Sequence, residues 1–292
     1  MSPLVSIGMP VYNCERTLAA SILSIANQTF ADWRLFVLDD GSQDWTLAIA
    51  RQFADPRIEV IDGHHHRGLP WRLNQAVEMS TGKYFARMDG DDIAYPERLA
   101  KQVAFLDDHP DVDLLAASMS VFTDGGRLLG LRLAPRSHET ICVHPWSGFP
   151  MAHPTWMGRI EWFRRHPYRS DAVGMEDKEL LFRTYAESKF ACLDEVLLAY
   201  RENTLPLKKI LRARKNFVSV LWRAAGRSCA PTIAVRGIVG QAVRGAVDAF
   251  ALSSGLGYRL LKHRVQPAPE QERIRWQEVR RQTLDGAPLL AP

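Results

Sequence analysis

In the first two hundred residues, short runs of apolar residues alternate with stretches in which apolar residues recur at the spacing of a helix. The apolar runs predict strands at 5–13, 33–38, 58–61 and 84–88. Between these runs, apolar residues recur three and four positions apart, which predicts a helix in each connection. Strands that alternate with helices across short connections form a parallel, doubly wound sheet. The pattern therefore predicts an α/β fold whose strand ends meet in one crevice.

The pattern becomes less regular after residue 96. A helix is predicted over 97–107 and a strand over 112–122, and Asp124-Gly125-Gly126 is a strong signal for a hairpin turn. A short helix over 162–166, a helix after Asp177 and two final strands, 190–192 and 196–200, complete this part. Residues 1–206 are thus expected to form one domain.

The C-terminal region, 207–292, differs from residues 1–206 in the pattern of its apolar residues and in its charge. Apolar residues with helical spacing are interleaved with Lys and Arg from Leu207 onward, and a final basic helix is predicted over 270–282. From Lys208 to the end there are 16 Lys and Arg against 5 Asp and Glu, whereas the rest has 21 against 28. Basic amphipathic helices bind anionic membrane surfaces, so peripheral membrane contact is one expectation. Packing of the apolar faces on the N-terminal domain or on a second subunit is the alternative.

Composition excludes several protein classes. The chain has 46% hydrophobic and 24% charged residues, as ordinary globular proteins do. It offers neither a signal-peptide pattern nor 18 consecutive uncharged apolar residues, so neither secretion nor a membrane span is expected. The four cysteines match no metal or redox spacing, which favours reduced thiols in the cytoplasm. No aromatic and basic platform indicates nucleic-acid binding.

Carboxylates follow two of the predicted strands directly. Asp39-Asp40-Gly41-Ser42 ends the second strand, and Asp89-Gly90-Asp91-Asp92 ends the strand that begins at Tyr84. Oxygen ligands of this kind suit Mg or Mn, which commonly take further ligands from substrate phosphates. The pattern therefore indicates a metal–diphosphate site, most naturally for a nucleotide-sugar. A solvated acidic turn is the alternative for an isolated Asp-x-Asp.

Four stretches in this order resemble the family-2 glycosyltransferases of the GT-A fold, the bacterial type that builds cell-surface polysaccharides. They are Val5–Asn13, Val37–Asp44, Leu73–Asp92 and Glu176-Asp177. The resemblance covers roughly residues 4–203. It implies a Rossmann-like, mostly parallel sheet with a C-terminal helical appendage, and transfer of a sugar from a nucleotide-diphosphate donor to a hydroxyl of a saccharide or lipid-linked saccharide.

The resemblance implies that the ends of the first two strands bind the nucleotide. Asp40 resembles the family aspartate that accepts from the nucleobase, and a carboxylate suits the N–H of uracil, so a UDP-sugar is the favoured donor. Pro10, Val11 and Tyr12 resemble the shelf that holds the base, and Asp39 belongs to the same group. The alternative is that Asp39 and Asp40 have only a structural role, in which their side chains cap a helix or stabilise a turn.

The strand that ends at Met88 is implied to hold the metal and the phosphates. By the family pattern Asp91 contacts the divalent cation directly, Asp89 contacts the cation or the ribose, and Asp92 holds the loop. Asn74 and Arg87 resemble groups on the phosphate side, and structural hydrogen bonding is the alternative for both.

Asp177 resembles the catalytic base of the family. Transfer with inversion requires one carboxylate that takes the proton of the acceptor hydroxyl. An ordinary acidic helix start, favourable to the helix dipole, is the alternative for Glu176-Asp177. His153 and Glu176 are expected near the acceptor or behind the site. Many relatives have a histidine two residues after a Tyr-Arg pair, where this chain has Asn203, which puts a third protein ligand to the metal in doubt.

Two other functions stay open at this point. A sugar nucleotidyltransferase would use a related sheet and metal, but the turn after the first strand lacks a Gly-rich, basic phosphate loop. A degenerate, glycosyltransferase-like scaffold is the non-enzymatic alternative, and Asn203 is the residue that favours it. The expected location is the cytoplasm, with peripheral contact at the inner face of the inner membrane.

Overall fold

The computed structural model describes residues 3–172, 174–202, 207–225, 231–254 and 265–286. Nine strands of this part form a single mixed sheet. They are β1 (Val5–Val11), β2 (Trp33–Asp39), β3 (Ile58–Ile61), β4 (Tyr84–Arg87), β5 (Ile93–Ala94), β6 (Leu114–Phe122), β7 (Leu128–Arg132), β8 (Met157–Arg159) and β9 (Phe190–Arg201). The order is β3-β2-β1-β4-β8-β6-β9-β5, with β7 paired to β6.

Ten α-helices of the described residues accompany the sheet. They are α1 (Leu18–Ala26), α2 (Thr46–Ala50), α3 (Leu69–Met79), α4 (Arg98–Asp108), α5 (His138–Ile141), α6 (Ile160–Arg165), α7 (Glu176–Thr184), α8 (Leu207–Ala225), α9 (Pro231–Ser253) and α10 (Glu270–Thr283). Two short 3-10 turns, Pro145–Ser147 and His153–Thr155, lie between α5 and β8.

Strands β3, β2, β1 and β4 are parallel, and β8 pairs antiparallel with β4 and with β6. In β2, Leu35 and Val37 belong to the core cluster that contains α1 and α4, whereas Phe36 and Leu38 belong to the cluster that contains α3 and α6. Alternate side chains of a strand point to opposite faces, so helices cover both faces of the sheet. The predicted doubly wound α/β arrangement is thereby confirmed.

The last strand differs from its prediction. Residues 190–192 and 196–200 are parts of one strand, β9, because its register against β6 shifts after the pair Leu193 and Ala117 and resumes at Val196 and Ser118. Asp194 and Glu195 lie in this irregularity and are exposed. A bulge carries polar residues outward without ending the strand.

Helix α10 packs against the sheet. Trp276 and Val279 of α10 are buried in a cluster with Tyr95 and Phe122, and the Trp276 indole Nε1 donates to the Gly126 carbonyl at 3.0 Å. Part of the C-terminal region therefore packs on the domain that contains the sheet. The domain boundary at 206/207 stays a prediction, because residues 203–206 lie outside the described residues.

Candidate active site

The end of β2 lies beside the end of β1, since Val11 is the register partner of Asp39. The next residue, Asp40, is buried, and its carboxylate accepts three hydrogen bonds. The donors are the backbone N–H groups of Arg67 and Gly68, each at 2.9 Å, and Arg72 Nε at 2.8 Å, and the His66 ring lies beside the carboxylate with Nδ1 at 2.9 Å. The Asp40 carboxylate thus fixes the loop between β3 and α3.

Asp39 is also buried but retains bonding capacity. Its Oδ2 accepts from the backbone N–H groups of Gly41 and Ser42, each at 3.0 Å, in a local Asx turn. Its Oδ1 is buried and has no hydrogen-bond partner among the described residues. An unpaired buried carboxylate oxygen is costly unless a ligand or water supplies a donor.

The predicted nucleotide shelf surrounds this strand end. Tyr12 is 43% exposed, and its ring lies 4.4 Å from the His66 ring between centroids. Val11 is buried and Pro10 is half-buried. Three consecutive histidines in the loop before α3, His64, His65 and His66, are exposed, and His66 also contacts Asp40.

A cleft of about 640 Å³ continues from the turn after β1 towards the acidic loop. Its lining is mostly polar and includes Asn13, Arg16, Asp44, Asp91 and Arg201. The cleft therefore connects the nucleotide side of the site with the Asp-x-Asp loop.

The acidic loop after β4 brings three carboxylates together. Oxygen atoms of Asp89, Asp91 and Asp92 lie within 4.8 Å of one another. Asp91 is exposed at the edge of the cleft, and partial desolvation by the loop around it, together with the neighbouring Asp89 charge, raises the pKa of Asp91 to about 6. Burial, together with the charges of Asp91 and Asp89, raises the pKa of Asp92 well above its usual value. Because neighbouring carboxylates repel one another when ionised, such a cluster is stabilised by protonation or by a bound cation.

Contacts from both sides hold the acidic loop. Thr17 and Ser21 of the α1 region donate from their hydroxyls to the carbonyls of Gly90 and Asp92, at 2.8 and 2.7 Å. Gly90 packs so closely that a Cβ there would lie 2.7 Å from Val11 Cγ1. Any other residue at position 90 would push the loop away from β1.

Arg201, at the end of β9, holds the loop from the other side. Its backbone N–H donates to Asp92 Oδ1 at 2.9 Å, and its Nε donates to the Asp91 carbonyl at 2.8 Å. The predicted role of Asp92 in holding the loop agrees with this contact. Asn203, two residues further on, lies outside the described residues.

Arg87 is the buried cation of the site. Its Nη2 donates to Asp89 Oδ1 at 2.5 Å, while its Nε and Nη1 have no partner among the described residues. Burial alone would lower the pKa of Arg87, but the Asp89 charge, with smaller contributions from Asp92 and Glu176, raises it above its usual value. The guanidinium therefore lies between the acidic loop and the start of α7.

Asn74 and His153 both contact Tyr168. The Asn74 side chain exchanges two hydrogen bonds with the Tyr168 backbone, at 2.8 and 2.9 Å, so Asn74 fastens this segment to α3. His153 Nε2 lies 3.0 Å from the Tyr168 hydroxyl, and burial with the Arg87 charge lowers the pKa of His153 well below its usual value. His153 is thus a buried, neutral histidine behind the site.

Asp177 is the second residue of α7. Glu176, Asp177 and Glu179 lie in the first turn, where negative charge stabilises a helix. The Asp177 carboxylate is half-buried and has no hydrogen bond or ion pair within the described ranges. Glu176 is buried with Oε2 unbonded, and burial together with the Asp177 charge raises the pKa of Glu176.

Tyr168 connects the two acidic groups. Burial raises the pKa of Tyr168 most; the Arg87 charge opposes this, and the charges of Asp177, Glu176 and Asp89 add to it. Asp89, in the loop after β4, and Asp177, in α7, therefore both act electrostatically on the Tyr168 hydroxyl, although 88 positions separate them in the chain. The structure brings the predicted metal site and the predicted base to one region.

A divalent cation fits the acidic loop. The donors are carboxylate oxygens, which Mg and Mn prefer, and Asp92 Oδ2 is buried without a partner among the residues described. The sequence argument assigned no role to Arg201 or Tyr168. The Tyr-Arg pair at 200–201 was the available signal for Arg201, whereas nothing in the local sequence distinguishes Tyr168.

Comparison with known proteins gives one family. Residues 6–166 match the family described as Glycosyl transferase family 2. EpsE of Bacillus subtilis, named as a glycosyltransferase, is 39% identical over 214 residues, which cover 71% of this chain and 76% of EpsE. Escherichia coli WfgD, named a UDP-Glc:alpha-D-GlcNAc-diphosphoundecaprenol beta-1,3-glucosyltransferase, is 39% identical over 103 residues, covering 35% of this chain and 41% of WfgD.

Solved structures share the fold at low identity. Staphylococcus aureus TarS in complex with UDP-GlcNAc aligns with a TM-score of 0.62 and 18% identity, over 99% of this chain and 82% of that one. The mannosyltransferase PcManGT of Pyrobaculum calidifontis, in complex with GDP-Man and Mn²⁺, aligns with a TM-score of 0.59 and 17% identity, over 98% and 86%. These similarities confirm the predicted GT-A fold.

Proposed function

We propose that this chain, which belongs to glycosyl transferase family 2, transfers a hexosyl group from a nucleotide-diphosphate sugar to a hydroxyl of a saccharide or lipid-linked saccharide. The proposal includes inversion at the anomeric carbon and a role in cell-surface polysaccharide synthesis. One observation carries it: Asp89 of the acidic loop after β4 and Asp177, which has no hydrogen bond or ion pair among the described residues, both act electrostatically on the buried Tyr168 hydroxyl.

UDP is the proposed nucleotide, and Asp39 is the proposed base-binding residue. Uracil offers an N–H donor, and Asp39 Oδ1 is the buried acceptor that has no partner in the described part of the chain. Asp40 is less suited than the sequence suggested, because its carboxylate already accepts three hydrogen bonds and is in contact with His66. The exposed Tyr12 ring at the same strand end supports a stacked base.

Asp89 and Asp91 would hold the Mn or Mg ion, with Asp92 beside them. A bound divalent cation neutralises the charge of the departing nucleoside diphosphate. Arg201 keeps the loop in position through its two bonds to the loop backbone and Asp92. Arg87 orients Asp89 and adds a fixed positive charge in the interior of the site.

Asp177 would act as the general base. The acceptor oxygen forms a bond to the anomeric carbon while the bond from that carbon to the diphosphate oxygen breaks, and the acceptor proton moves to the Asp177 carboxylate. A single carboxylate is sufficient, because no covalent intermediate has to form. The free state of Asp177 among the described residues supports this role, since a base already engaged by Arg or Lys would be a poor proton acceptor.

The proposed acceptor is lipid-linked. WfgD, to which this chain is similar over part of its length, is named for transfer to a diphosphoundecaprenol-linked sugar. We therefore propose that the reaction takes place in the cytoplasm, at the inner face of the membrane.

Replacement of the base tests the proposal. Asp177→Asn keeps the size of the side chain and removes proton acceptance, so turnover is expected to fall by about 10²–10⁴-fold. The measurement is sugar transfer from UDP-sugars with Mn²⁺ to a membrane-lipid extract, together with UDP affinity by calorimetry. Asp108→Asn, at the end of α4, is the matched control and should retain wild-type turnover.

The affinity measurement separates the possible roles of Asp177. Unchanged UDP affinity with lost turnover supports a catalytic base. A collapse of UDP affinity would make Asp177 a donor-binding residue, and wild-type turnover would remove it from the mechanism. UDP binding without transfer in the wild-type chain would favour the scaffold alternative.

A further inference from the structure

Helix α9 has a packed face and an apolar exposed face. Gly237, Gln241 and Gly245 are buried, and a Cβ at Gly237 would lie 2.6 Å from Leu221 Cδ1 of α8. Residues four apart follow one line along a helix, so these three define the face that packs on α8 and on the turn at Trp146.

Four valines lie on the opposite face. Their side chains are more than half exposed: Val235 at 58%, Val239 at 56%, Val243 at 58% and Val247 at 55%. Single exposed apolar residues are common, but a contiguous row of them marks a surface that binds another molecule. The spacing of four residues makes the row continuous over about 18 Å of helix. We call this row the valine face.

Basic residues accompany the valine face. Arg236 and Arg244 are exposed. Helical rotation places Arg236 angularly between Val243 and Val247, at the edge of the valine face, where it also lines a small pocket with Trp146 and Ser147. Arg244 lies nearer the packed face, and its guanidinium donates to the Ser147 carbonyl and hydroxyl at 3.4 Å. No hydrogen bond or ion pair of Arg236 occurs among the described residues. The α9 sequence contains one acidic residue, Asp248, and the whole region from Lys208 carries 16 basic against 5 acidic residues.

We propose that the valine face of α9 docks on an anionic lipid bilayer. The valines would enter the interfacial apolar layer, while Arg236 extends to lipid phosphates. This docking proposal rests on the proposed function, because a lipid-linked acceptor is the reason for the chain to be at a membrane. Helix α9 would lie along the surface, since no helix in the described residues is long and apolar enough to cross a membrane.

A second copy of the chain fits this face less well. Self-association through the valines would bury Arg236 in an apolar contact whose other members are valines. A buried guanidinium without a carboxylate partner is strongly unfavourable, and a twofold contact would add a second one. A lipid surface removes this conflict, because the phosphates supply the counter-charge.

Vesicle binding of the full chain tests the proposal. We compare wild type with the triple variant Val239→Gln, Val243→Gln and Val247→Gln, using vesicles of phosphatidylcholine alone and of phosphatidylcholine with phosphatidylglycerol. The triple variant should bind the anionic vesicles at least about tenfold more weakly, because three exposed apolar side chains lose their burial. Arg236→Gln should weaken binding to anionic vesicles about fivefold and change binding to neutral vesicles little.

The matched control removes three apolar side chains of similar exposure elsewhere, and an unchanged circular dichroism spectrum and thermal unfolding midpoint verify that each variant is folded. The control substitutions are Leu133→Gln, Val143→Gln and Ile274→Gln, at residues 50%, 59% and 58% exposed. Equal binding of wild type and the α9 triple variant to anionic vesicles would overturn the proposal. A wild-type dimer in sedimentation velocity that the α9 substitutions dissociate, with vesicle binding unchanged, would assign the face to a second copy instead. Vesicle binding requires no donor, so a failure here is distinct from a failure of the transferase assignment.

Discussion

The Asp40 carboxylate offers a direct test of structure against sequence, because the two assign it different roles. The sequence argument gives Asp40 to the nucleobase, whereas the structure surrounds it with Arg72, His66 and two backbone donors. In the structural interpretation, Asp40→Ala destabilises the protein without any nucleotide present. In the nucleobase interpretation, the same substitution changes only UDP affinity.

The expected size of the effect follows from burial. The side chain of Asp40 is 5% exposed and that of Arg72 is 2% exposed, and removal of one partner from a buried ion pair costs about 3–5 kcal/mol. Arg72 retains bonds to Gly63, His65 and Gln75, so the lower end, about 3 kcal/mol, applies. For a chain of 292 residues this lowers the unfolding midpoint by about 5 °C.

The assay is denaturant and thermal unfolding of the nucleotide-free protein. Glu59→Ala is the matched control, because Glu59 pairs with Arg34 on the same part of the sheet but both side chains are substantially exposed, at 37% and 47%. That control should change the free energy of unfolding by less than about 1 kcal/mol. If Asp40→Ala unfolds like wild type and loses UDP affinity, the structural interpretation is wrong and the sequence assignment stands.

Two further predictions concern the donor and the metal. Asp39→Asn should weaken UDP binding by about 10–100-fold in calorimetry, with little loss of stability, because an amide donor would replace a charged acceptor; unchanged affinity would exclude Asp39 from base binding. For Mn²⁺, protons compete at Asp91, whose pKa of about 6 exceeds its usual 3.8, so the rise in unfolding temperature on adding Mn²⁺ should be larger at pH 7.5 than at pH 5. The raised pKa also means that the metal-free protein gains stability from Asp91 as pH falls from about 6 to 4. An equal or larger Mn²⁺ effect at pH 5 would contradict the assignment.

The fold was predictable because its signals are local. Apolar runs that end in Asp39 and Asp89 indicate buried strands with polar ends, and the short connections leave few topologies. The strand β5 was missed because two residues, Ile93 and Ala94, carry no periodicity. The irregularity at Asp194 and Glu195 divided one strand into two predictions, since exposed acidic residues within a strand resemble a turn.

The roles of buried polar residues were less predictable, because they depend on contacts between distant segments. Asn74 was assigned to the phosphate side or to a structural bond, and only the position of Tyr168, 94 residues later, gives it the structural bond. Asp40 presents the same difficulty, since its donors come from the loop before α3. Adjacent aspartates have the same chemistry, and the protein groups around them determine which one retains a free oxygen.

Arg87 shows why the site is more than a metal-binding loop. A buried guanidinium requires negative partners, and here they come from two elements: Asp89 beside it on the β4 loop, and Glu176 at the start of α7. Arg87 is hydrogen-bonded to Asp89, whereas Glu176 acts on it through its charge, with no hydrogen bond or ion pair between the two side chains among the described residues. A cation bound to the loop would share the Asp89 charge and so strengthen the attraction between Arg87 and Glu176. We therefore expect donor binding and the position of α7, which carries the proposed base Asp177, to be linked through this buried charge.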